Sequence, residues 1–421
     1  MNSRYETIRV GIAIVDRPKS KPRVAVVSPF LDKGHGTERI VVEWISRLAE
    51  DFEIHVYSQY VKDVDLAQIV WHRIPKLPGP LLFSFLWWFA ANRLWRVWDR
   101  RFRGLRHDLV FTPGINCLDA DVISVHIVFG EFLRRVGPEL QFRRNPVRLW
   151  PQLLHRRLYY RLAIGLETLA YPNPDVTLIH MARKTAMDIE RFYGRLDPGP
   201  ILYVGLDHAA YNPGRCSMFR TEARKELGLS AERFAVLMIG NDLRNKGFRV
   251  LLEALAALRS LPVDLLIVGR EDPAPFREMA LNQALGDRVR FLPRRKDVEF
   301  YYAAADAYAG PSLEDAYSLP PAEAIACGLP VIVSATCGVS EIITHGSDGL
   351  VLADPTDSTT LADMIRRLYS DTEFRTRLGK RAAETAQQYT WERNAHDLAS
   401  IFNAILRRKG SPAVHSLEQA L

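Results

Sequence analysis

Two carboxylates eight positions apart, Asp315 and Glu323, lie in the stretch PSLEDAYSLPPAEAIACGLP, from Pro311 to Pro330. The stretch follows a predicted strand, and Pro320 and Pro321 suit the first turn of a helix. Asp315 is then expected in the loop and Glu323 on the helix, so that both face a ligand at the carboxyl end of the strand. Ionised carboxylates are strong hydrogen-bond acceptors for sugar hydroxyls. The alternative that stays open is that Asp315 or the neighbouring Glu314 only caps the helix.

Two basic residues follow another predicted strand, in the turn GNDLRNKGF (Gly240 to Phe248). We expect Arg244 and Lys246 to project from this turn at the carboxyl end of the strand. Fixed cations stabilise the negative charge that develops on a diphosphate leaving group. The alternative is an exposed basic turn without a ligand.

A glycine-containing turn, KGHGTE (Lys33 to Glu38), follows the first strand of the chain. Small residues let backbone N–H groups approach an anion at the start of a helix, and Gly36 is the expected close contact. His126 ends a later strand and is expected to point towards the same ligand. A histidine at a strand end also fits a purely structural role.

Strands alternate with helices on both sides of these motifs. The strands are predicted at Arg23–Phe30, Glu53–Ser58, Asp108–Gly114, Val122–Val128, Val176–His180 and Ile201–Gly205, and then at Phe234–Gly240, Asp264–Gly269, Arg288–Pro293, Ala307–Ser312 and Val331–Ala335. Near-continuous apolar strands separated by helices predict parallel sheets that are covered on both faces. A polar join at Asn212–Arg220 divides the pattern in two. The sequence therefore predicts two doubly wound α/β domains with ligands beyond the carboxyl ends of their strands.

Composition agrees with a two-domain globular chain. The 421 residues are 48% hydrophobic and 25% charged, and the formal net charge is +7. A basic surface favours anionic lipids or phosphorylated substrates, and we expect no nucleic acid partner because no zinc-finger spacing or basic tail occurs. The four scattered cysteines suit a reducing cytosol. No secretory signal is predicted at the N-terminus, and the apolar run from Leu81 to Ala91 is too short to span a bilayer.

The ordered motifs resemble those of the retaining family 4 glycosyltransferases, which have the GT-B fold. The Pro311 to Pro330 stretch is similar to their Glu-x7-Glu segment, with Asp315, Ala316 and Ser318 in place of Glu, Gly and Gly. The Lys246 loop resembles their G-x-D-x-x-x-K-G loop. The KGHGTE turn resembles their G-G-x-E-R turn. The segments at Val204–Pro213 and Cys337–Val351 resemble their interdomain and G-G-x-x-E motifs.

The resemblance implies roles for particular residues. Arg244 and Lys246 would hold the donor diphosphate, and Glu323 the nucleotide ribose. Asp315, His126 and the segment after Asp315 would contact the donor, together with Gly36. That segment consists of Ala316, Tyr317, Ser318 and Leu319.

The same resemblance implies the architecture. Two Rossmann-like domains are expected to face a central cleft: residues 1–205 would bind the acceptor, and residues 206–390 the sugar nucleotide. Residues 391–421 would form a helix that crosses back to the N-terminal domain, and a tail.

The implied reaction is transfer of a sugar from a nucleoside diphosphate sugar, with UDP-glucose as our choice, to a hydroxyl of a glycan or a lipid-linked acceptor. The transfer is expected to retain the anomeric configuration and to need neither a metal ion nor a cofactor. The enzyme is expected to be cytoplasmic and to act in cell-envelope polysaccharide synthesis. The apolar and basic segment Leu81–His107 suggests attachment to an anionic inner membrane surface, although a core helix is the open alternative. The alternatives for function are a GT-B sugar-nucleotide epimerase and a non-catalytic sugar-nucleotide-binding protein.

Overall fold

The computed structural model describes residues 21–144, 147 and 150–410, and its two halves each contain a six-stranded sheet. The strands of the first half are β1 (Arg23–Val27), β2 (Phe30–Leu31), β3 (Glu53–Ser58), β4 (Tyr60–Val61), β5 (Ile69–Arg73), β6 (Leu109–Pro113), β7 (Val122–Val125) and β8 (Thr177–His180). Those of the second half are β9 (Phe234–Ile239), β10 (Val263–Val268), β11 (Val289–Leu292), β12 (Ala307–Gly310), β13 (Val331–Ser334) and β14 (Leu350–Leu352). The N-terminal residues 1–20 and the tail 411–421 lie outside the described residues.

Helices separate the strands. They are α1 (Gly36–Leu48), α2 (Leu81–Phe102), α3 (Phe129–Val136), α4 (Trp150–Ala170), α5 (Arg183–Tyr193), α6 (Pro213–Glu226), α7 (Phe248–Ala257), α8 (Ala274–Asn282), α9 (Glu299–Ala304), α10 (Leu319–Ala326), α11 (Ser358–Ser370), α12 (Thr372–Ala386) and α13 (Trp391–Lys409). None of the helices in the described ranges is both long enough and apolar enough to cross a lipid bilayer.

Both sheets have the same strand order, and every pairing within them is parallel. The first sheet is ordered β5-β3-β1-β6-β7-β8 and the second β11-β10-β9-β12-β13-β14. In each sheet the first strand lies in the middle. The next two long strands are added on one side of it, and the remaining three are added on the other side. A doubly wound sheet binds ligands at the reversal point between these two sides, beyond the carboxyl ends of the two central strands. The predicted α/β fold class is confirmed.

Some predicted elements differ from those observed. Ile201–Gly205 is not a strand, because Ile201 forms only an isolated bridge to His180. The predicted polar join lies largely inside α6, whose Arg224 donates to Asp306 and to backbone carbonyls below the second sheet. Strands β5 and β14, which lie at the edges of the two sheets, were not predicted, and neither was the two-residue strand β4.

Helix α13 packs on the first half of the chain. Its Phe402 ring lies 5.8 Å from Phe52 and 5.6 Å from Phe111, measured between ring centroids. Near its end, Lys409 pairs with Asp121 at 2.7 Å. The C-terminal helix therefore packs against residues of the first half, near the amino ends of β3 and β7. The predicted domain boundary at residue 205 stays a prediction.

Candidate active site

The loops that carry Lys246 and Asp315 follow β9 and β12, which are neighbours at the reversal point of the second sheet. Sheet topology therefore brings together residues that are far apart in sequence. Their loops line a cavity of about 380 Å³, which we call the cleft cavity. Of the predicted site residues, this cavity is lined by Gly36, His126, Lys246, Asp315, Ala316, Tyr317, Ser318, Leu319 and Glu323. Its size is within the range of small-molecule sites.

Lys246 is the cation at the base of the cleft cavity. Its ammonium forms an ion pair with Asp315 and donates to the Ser318 hydroxyl at 3.2 Å. Burial alone would lower the pKa of Lys246, but the neighbouring Asp315 carboxylate raises it above the usual value. The side chain is therefore a fixed positive charge at neutral pH.

Asp315 lines the cleft cavity and does not cap α10, whose N-cap residue is Ser318. One carboxylate oxygen pairs with Lys246, and the other accepts the Tyr317 backbone N–H at 3.3 Å. The carboxylate thus orders its own loop while facing the cavity. The Gly338 backbone packs against the carbonyl of Ala316, which holds this loop from behind.

Ser318 has a backbone conformation that favours glycine. Its φ is 74° and its ψ is 105°, immediately before α10. A side chain in this region strains the backbone. The family motif has glycine here, whereas in this chain the serine hydroxyl accepts a hydrogen bond from Lys246.

Glu323 lies on α10 with its side chain only 4% exposed, and both oxygens have partners. Oε1 accepts from Arg39 Nη1 at 2.5 Å, and Oε2 accepts from the Tyr302 hydroxyl at 2.7 Å. Arg39 comes from α1, in the opposite half of the chain. The Glu323 carboxylate raises the pKa of Arg39 further above its usual range, so the guanidinium stays charged.

The wall opposite Lys246 is the start of α1. Its N-cap residue, His35, makes no side-chain cap, and a Cβ added to Gly36 would meet open space. At Gly36 the start of α1 therefore borders the cavity without a side chain in the way. A helix N-terminus of this kind attracts anions.

His126 follows β7 and borders the cleft cavity from the first half. Its Nε2 lies 2.9 Å from the Ser124 hydroxyl. Burial lowers the pKa of His126 to about 3, so the ring is neutral at physiological pH. A neutral imidazole supplies hydrogen bonds but no charge to a ligand here.

Arg244 differs from the other predicted residues, since it does not line the cleft cavity. It is half-buried, and its charge acts on Glu271. Lys33 and Arg39 of the first half and Arg294 of the second line the cavity in its place. The spacing of the two basic residues in the sequence did not reveal that only Lys246 of the pair lines the cleft cavity.

Arg39 is the residue that sequence analysis missed. The available signal was its place in the KGHGTER turn, three residues after Gly36 and therefore on the first turn of α1. The partner, Glu323, is 284 positions away, and no local pattern connects them. In residues 21–144, 147 and 150–410, no group of three or more His, Cys, Asp or Glu side chains is arranged to hold a metal ion.

A second cavity, of about 820 Å³, lies wholly within the first half of the chain, and we call it the N-terminal cavity. His35, Thr37 and His126 line both cavities. The two cavities therefore meet at these three residues, where α1 begins and β7 ends.

A comparison with known families identifies the second half. Residues 219–385 match the model for glycosyl transferases group 1. This segment is similar to the group 1 glycosyl transferase domain. The group 1 domain contains Lys246, Asp315 and Glu323, and the match confirms the resemblance drawn from the sequence.

Several curated relatives of this chain are named D-inositol 3-phosphate glycosyltransferase. The protein of that name from Corynebacterium efficiens is 31% identical over 244 residues, which is 55% of this chain and 57% of the relative. Its counterpart from Pseudarthrobacter chlorophenolicus is 32% identical over 225 residues, or 51% of this chain and 52% of the relative. The chain thus spans about half the length of the curated relatives that it matches.

Solved structures match almost the whole chain. WaaG, a glycosyltransferase involved in lipopolysaccharide biosynthesis, aligns with a TM-score of 0.73 and 22% identity, over 90% of this chain and 99% of WaaG. Sucrose-phosphate synthase from Thermosynechococcus elongatus aligns with a TM-score of 0.74 and 20% identity, over 92% of this chain and 100% of the synthase. Anabaena HepE in complex with UDP-glucose aligns with a TM-score of 0.66 and 19% identity, over 91% of this chain and 99% of HepE. These likenesses confirm the GT-B fold.

Proposed function

We propose that this protein is a retaining glycosyltransferase that uses a nucleoside diphosphate sugar, UDP-glucose, and acts on a hydroxyl of a glycan or lipid-linked acceptor. One observation carries the proposal: Lys246, Asp315 and Glu323 of the group 1 domain line a single cavity with the open N-terminus of α1. The cavity therefore offers positive charge for a diphosphate and carboxylates for hydroxyl groups.

The donor occupies the cleft cavity in this proposal. Its diphosphate lies between the Lys246 ammonium and the first N–H groups of α1, and its ribose hydroxyls lie at Glu323. The choice of UDP-glucose is supported by HepE, which has the same fold and was solved in complex with UDP-glucose. Ribose must share or replace the contact that Arg39 makes with Glu323.

The chemical step is cleavage of the bond between the sugar and the diphosphate. Lys246 and the α1 N-terminus stabilise the charge that develops on the leaving oxygen, without a metal ion. The acceptor hydroxyl then attacks the sugar carbon from the face that the diphosphate leaves and passes its proton to the departing diphosphate, so the anomeric configuration is retained. The His126 imidazole, which is neutral, donates or accepts a hydrogen bond with the transferred sugar.

The cellular setting follows from the surface and the structural neighbours. WaaG, which shares the fold, is involved in lipopolysaccharide biosynthesis, and this supports a role in cell-envelope polysaccharide synthesis. Apolar side chains are exposed along α2 and α4, and the exposed Arg100 and Arg101 lie beside those of α2. The apolar residues are Phe83, Leu86, Leu94, Val97, Trp98 and Phe102 in α2, and Trp150, Leu154, Leu158 and Leu169 in α4. Peripheral attachment to the anionic cytoplasmic leaflet is therefore part of the proposal.

The donor assignment is tested with Lys246→Ala and Glu323→Gln. Lys246→Ala is expected to lower kcat for UDP-glucose turnover by about 100- to 1000-fold, which is typical for loss of a charge-stabilising donor. Glu323→Gln is expected mainly to raise KM, because the ribose contact exists before and during the reaction. The exposed residues of α12 supply matched controls, Lys380→Ala and Glu384→Gln, which should behave as wild type.

Two further measurements separate this proposal from the alternatives. Turnover should persist in EDTA, and NMR of the product should show the donor's anomeric configuration. Release of an epimerised sugar nucleotide would instead establish the epimerase. Tight UDP-glucose binding without turnover, across glycan and lipid acceptors, would establish a non-catalytic binding protein.

A further inference from the structure

The N-terminal cavity has an aromatic and aliphatic wall. The ring of Tyr159 lies 5.4 Å from Phe85 and 5.9 Å from Phe129, edge to face in both cases. Trp88 and Leu166 continue the same wall. Aromatic surfaces of this kind bind apolar groups through large buried areas.

The polar groups in this wall are already bonded within the protein. Glu167 accepts the Phe129 backbone N–H at 3.0 Å and the Tyr193 hydroxyl, and the Trp88 indole donates to Asn116 at 3.1 Å. These groups are satisfied without a ligand. The wall therefore presents mainly carbon to an occupant.

The cavity supplies little positive charge for an anionic occupant, and burial raises the pKa of Glu38 and raises that of Glu167 to about 7. Acidic side chains at Asp32, Glu38 and Glu167 line it, against one lysine, Lys76, which is exposed. A phosphorylated polyol needs fixed cations around its phosphate. The names of the curated relatives include such an acceptor, D-inositol 3-phosphate, but the lining of this cavity does not suit it.

Polar side chains lie at the opposite end, where the two cavities meet. His35, Thr37 and His126 border both cavities there. Glu38 follows on α1, and no other described side chain donates a hydrogen bond to its carboxylate. An acceptor hydroxyl placed at this junction would be next to the donor sugar.

The helices that form the apolar wall also carry the exposed apolar surface. Phe85 and Trp88 of α2, and Tyr159 and Leu166 of α4, line the cavity. The outer faces of the same helices expose the residues that we propose to contact a membrane. An apolar chain in the cavity therefore lies one helix layer away from the proposed lipid surface.

Resting on the glycosyl transfer proposed above, we infer that the N-terminal cavity takes an amphiphilic acceptor, an uncharged saccharide or polyol joined to an apolar chain. The hydroxyl of the acceptor lies at the junction of the cavities, and its apolar chain lies against the wall of Phe85, Phe129 and Tyr159. A phosphorylated polyol is not the acceptor.

Binding is measured by titration calorimetry in the presence of UDP, with paired methyl and octyl glycosides of glucose, galactose and mannose below their micelle concentrations. For at least one sugar, the octyl glycoside is expected to bind about tenfold or more tightly than the methyl glycoside, because several methylene groups are buried. D-myo-inositol 3-phosphate is expected to show no binding. Equal binding within every pair, no octyl glycoside binding, or tighter binding of the inositol phosphate would overturn the inference.

Tyr159→Ser and Leu166→Ala are expected to remove most of the octyl preference, while Leu169→Ala, on the exposed face of α4, keeps it. Each variant is checked for an unchanged melting temperature and unchanged UDP affinity. An octyl preference that survives in both cavity variants would place the chain elsewhere and refute the inference.

The source of the acceptor is distinguished by turnover. Transfer to the same head group on a dialkyl lipid in phosphatidylcholine vesicles identifies a membrane acceptor, and transfer to monomeric octyl glycoside alone identifies a soluble one. Either result supports the acceptor class. Failure of UDP-glucose turnover with every acceptor counts against the proposed function, whereas turnover only with inositol phosphate counts against the acceptor class.

Discussion

Arg39 of α1 donates to Glu323 Oε1 at 2.5 Å, and this ion pair joins the two halves of the protein across the cleft cavity. The Glu323 side chain is 4% exposed and that of Arg39 is 22% exposed. The Tyr302 hydroxyl holds the other oxygen. The carboxylate that we assign to the donor ribose is therefore also a contact between the two sheets.

Arg39→Met is expected to lower the free energy of unfolding by about 1–3 kcal/mol. The change leaves Glu323 buried beside Tyr302 without its cation, and the estimate is below that of a fully buried pair because Arg39 is partly exposed. Urea denaturation measures the effect. Arg408→Met, at an exposed site on α13, is the matched control and should change stability little. Equal stability of Arg39→Met and the wild type would show that the pair contributes nothing net.

Ser318→Gly is expected to be more stable than Ser318→Ala by about 1 kcal/mol. Both changes remove the hydrogen bond to Lys246, but only glycine relieves the positive φ. Chemical unfolding of the two variants measures the difference. The same pair of changes at Ser46, inside α1, should give the opposite order, because alanine favours a helix interior. If alanine were the more stable at both positions, backbone strain at Ser318 would be excluded.

Acid is expected to destabilise the protein between about pH 6.5 and pH 4, in part through His180. Burial lowers the pKa of His180 to about 4, and the side chain is 0% exposed. In the unfolded chain His180 binds a proton below about pH 6.5, whereas in the folded chain it stays neutral until about pH 4. The stabilisation is therefore fully present above about pH 6.5 and is lost as the pH falls. Each such histidine contributes up to about 1.4 kcal/mol per pH unit.

The measurement is the free energy of unfolding against pH for the wild type and His180→Phe. The variant should lose stability less steeply over this range. His396→Phe, exposed on α13, should keep the wild-type slope. Identical slopes for all three proteins would contradict a role for His180.

Vesicle binding should depend on the exposed aromatic residues of α2. Trp98 is 46% exposed and Phe102 is 71% exposed, and the Arg103 guanidinium lies 4.6 Å from the Trp98 ring. The double change Trp98→Ser and Phe102→Ser is expected to lower binding to vesicles containing phosphatidylglycerol by about tenfold or more, because two apolar side chains no longer enter the interface. Flotation measures the bound fraction. Leu281→Ser, exposed on α8, is the control, and an equal loss there would contradict a specific membrane face.

Local patterns in the sequence predicted most strands and the motif loops. The strand over Glu53–Ser58 has the predicted bounds, and the turns that carry Gly36, Lys246 and Asp315 follow strands as expected. These predictions succeeded because a buried parallel strand is a continuous apolar run, and its following turn is marked by glycine and polar residues. The predicted strand at Ile201–Gly205 was wrong, because an equally apolar segment forms only one bridge there.

Sequence by itself determined the α/β class, the order of the motifs and the residue types that could hold a phosphorylated sugar. Only the tertiary structure decided that Arg39 reaches Glu323, that Arg244 does not line the cleft cavity, and that an aromatic cavity adjoins it. The physical reason is that strand periodicity and turn chemistry act over a few residues. Contacts between the two halves instead depend on how two separately folded sheets pack, and no local pattern records that packing.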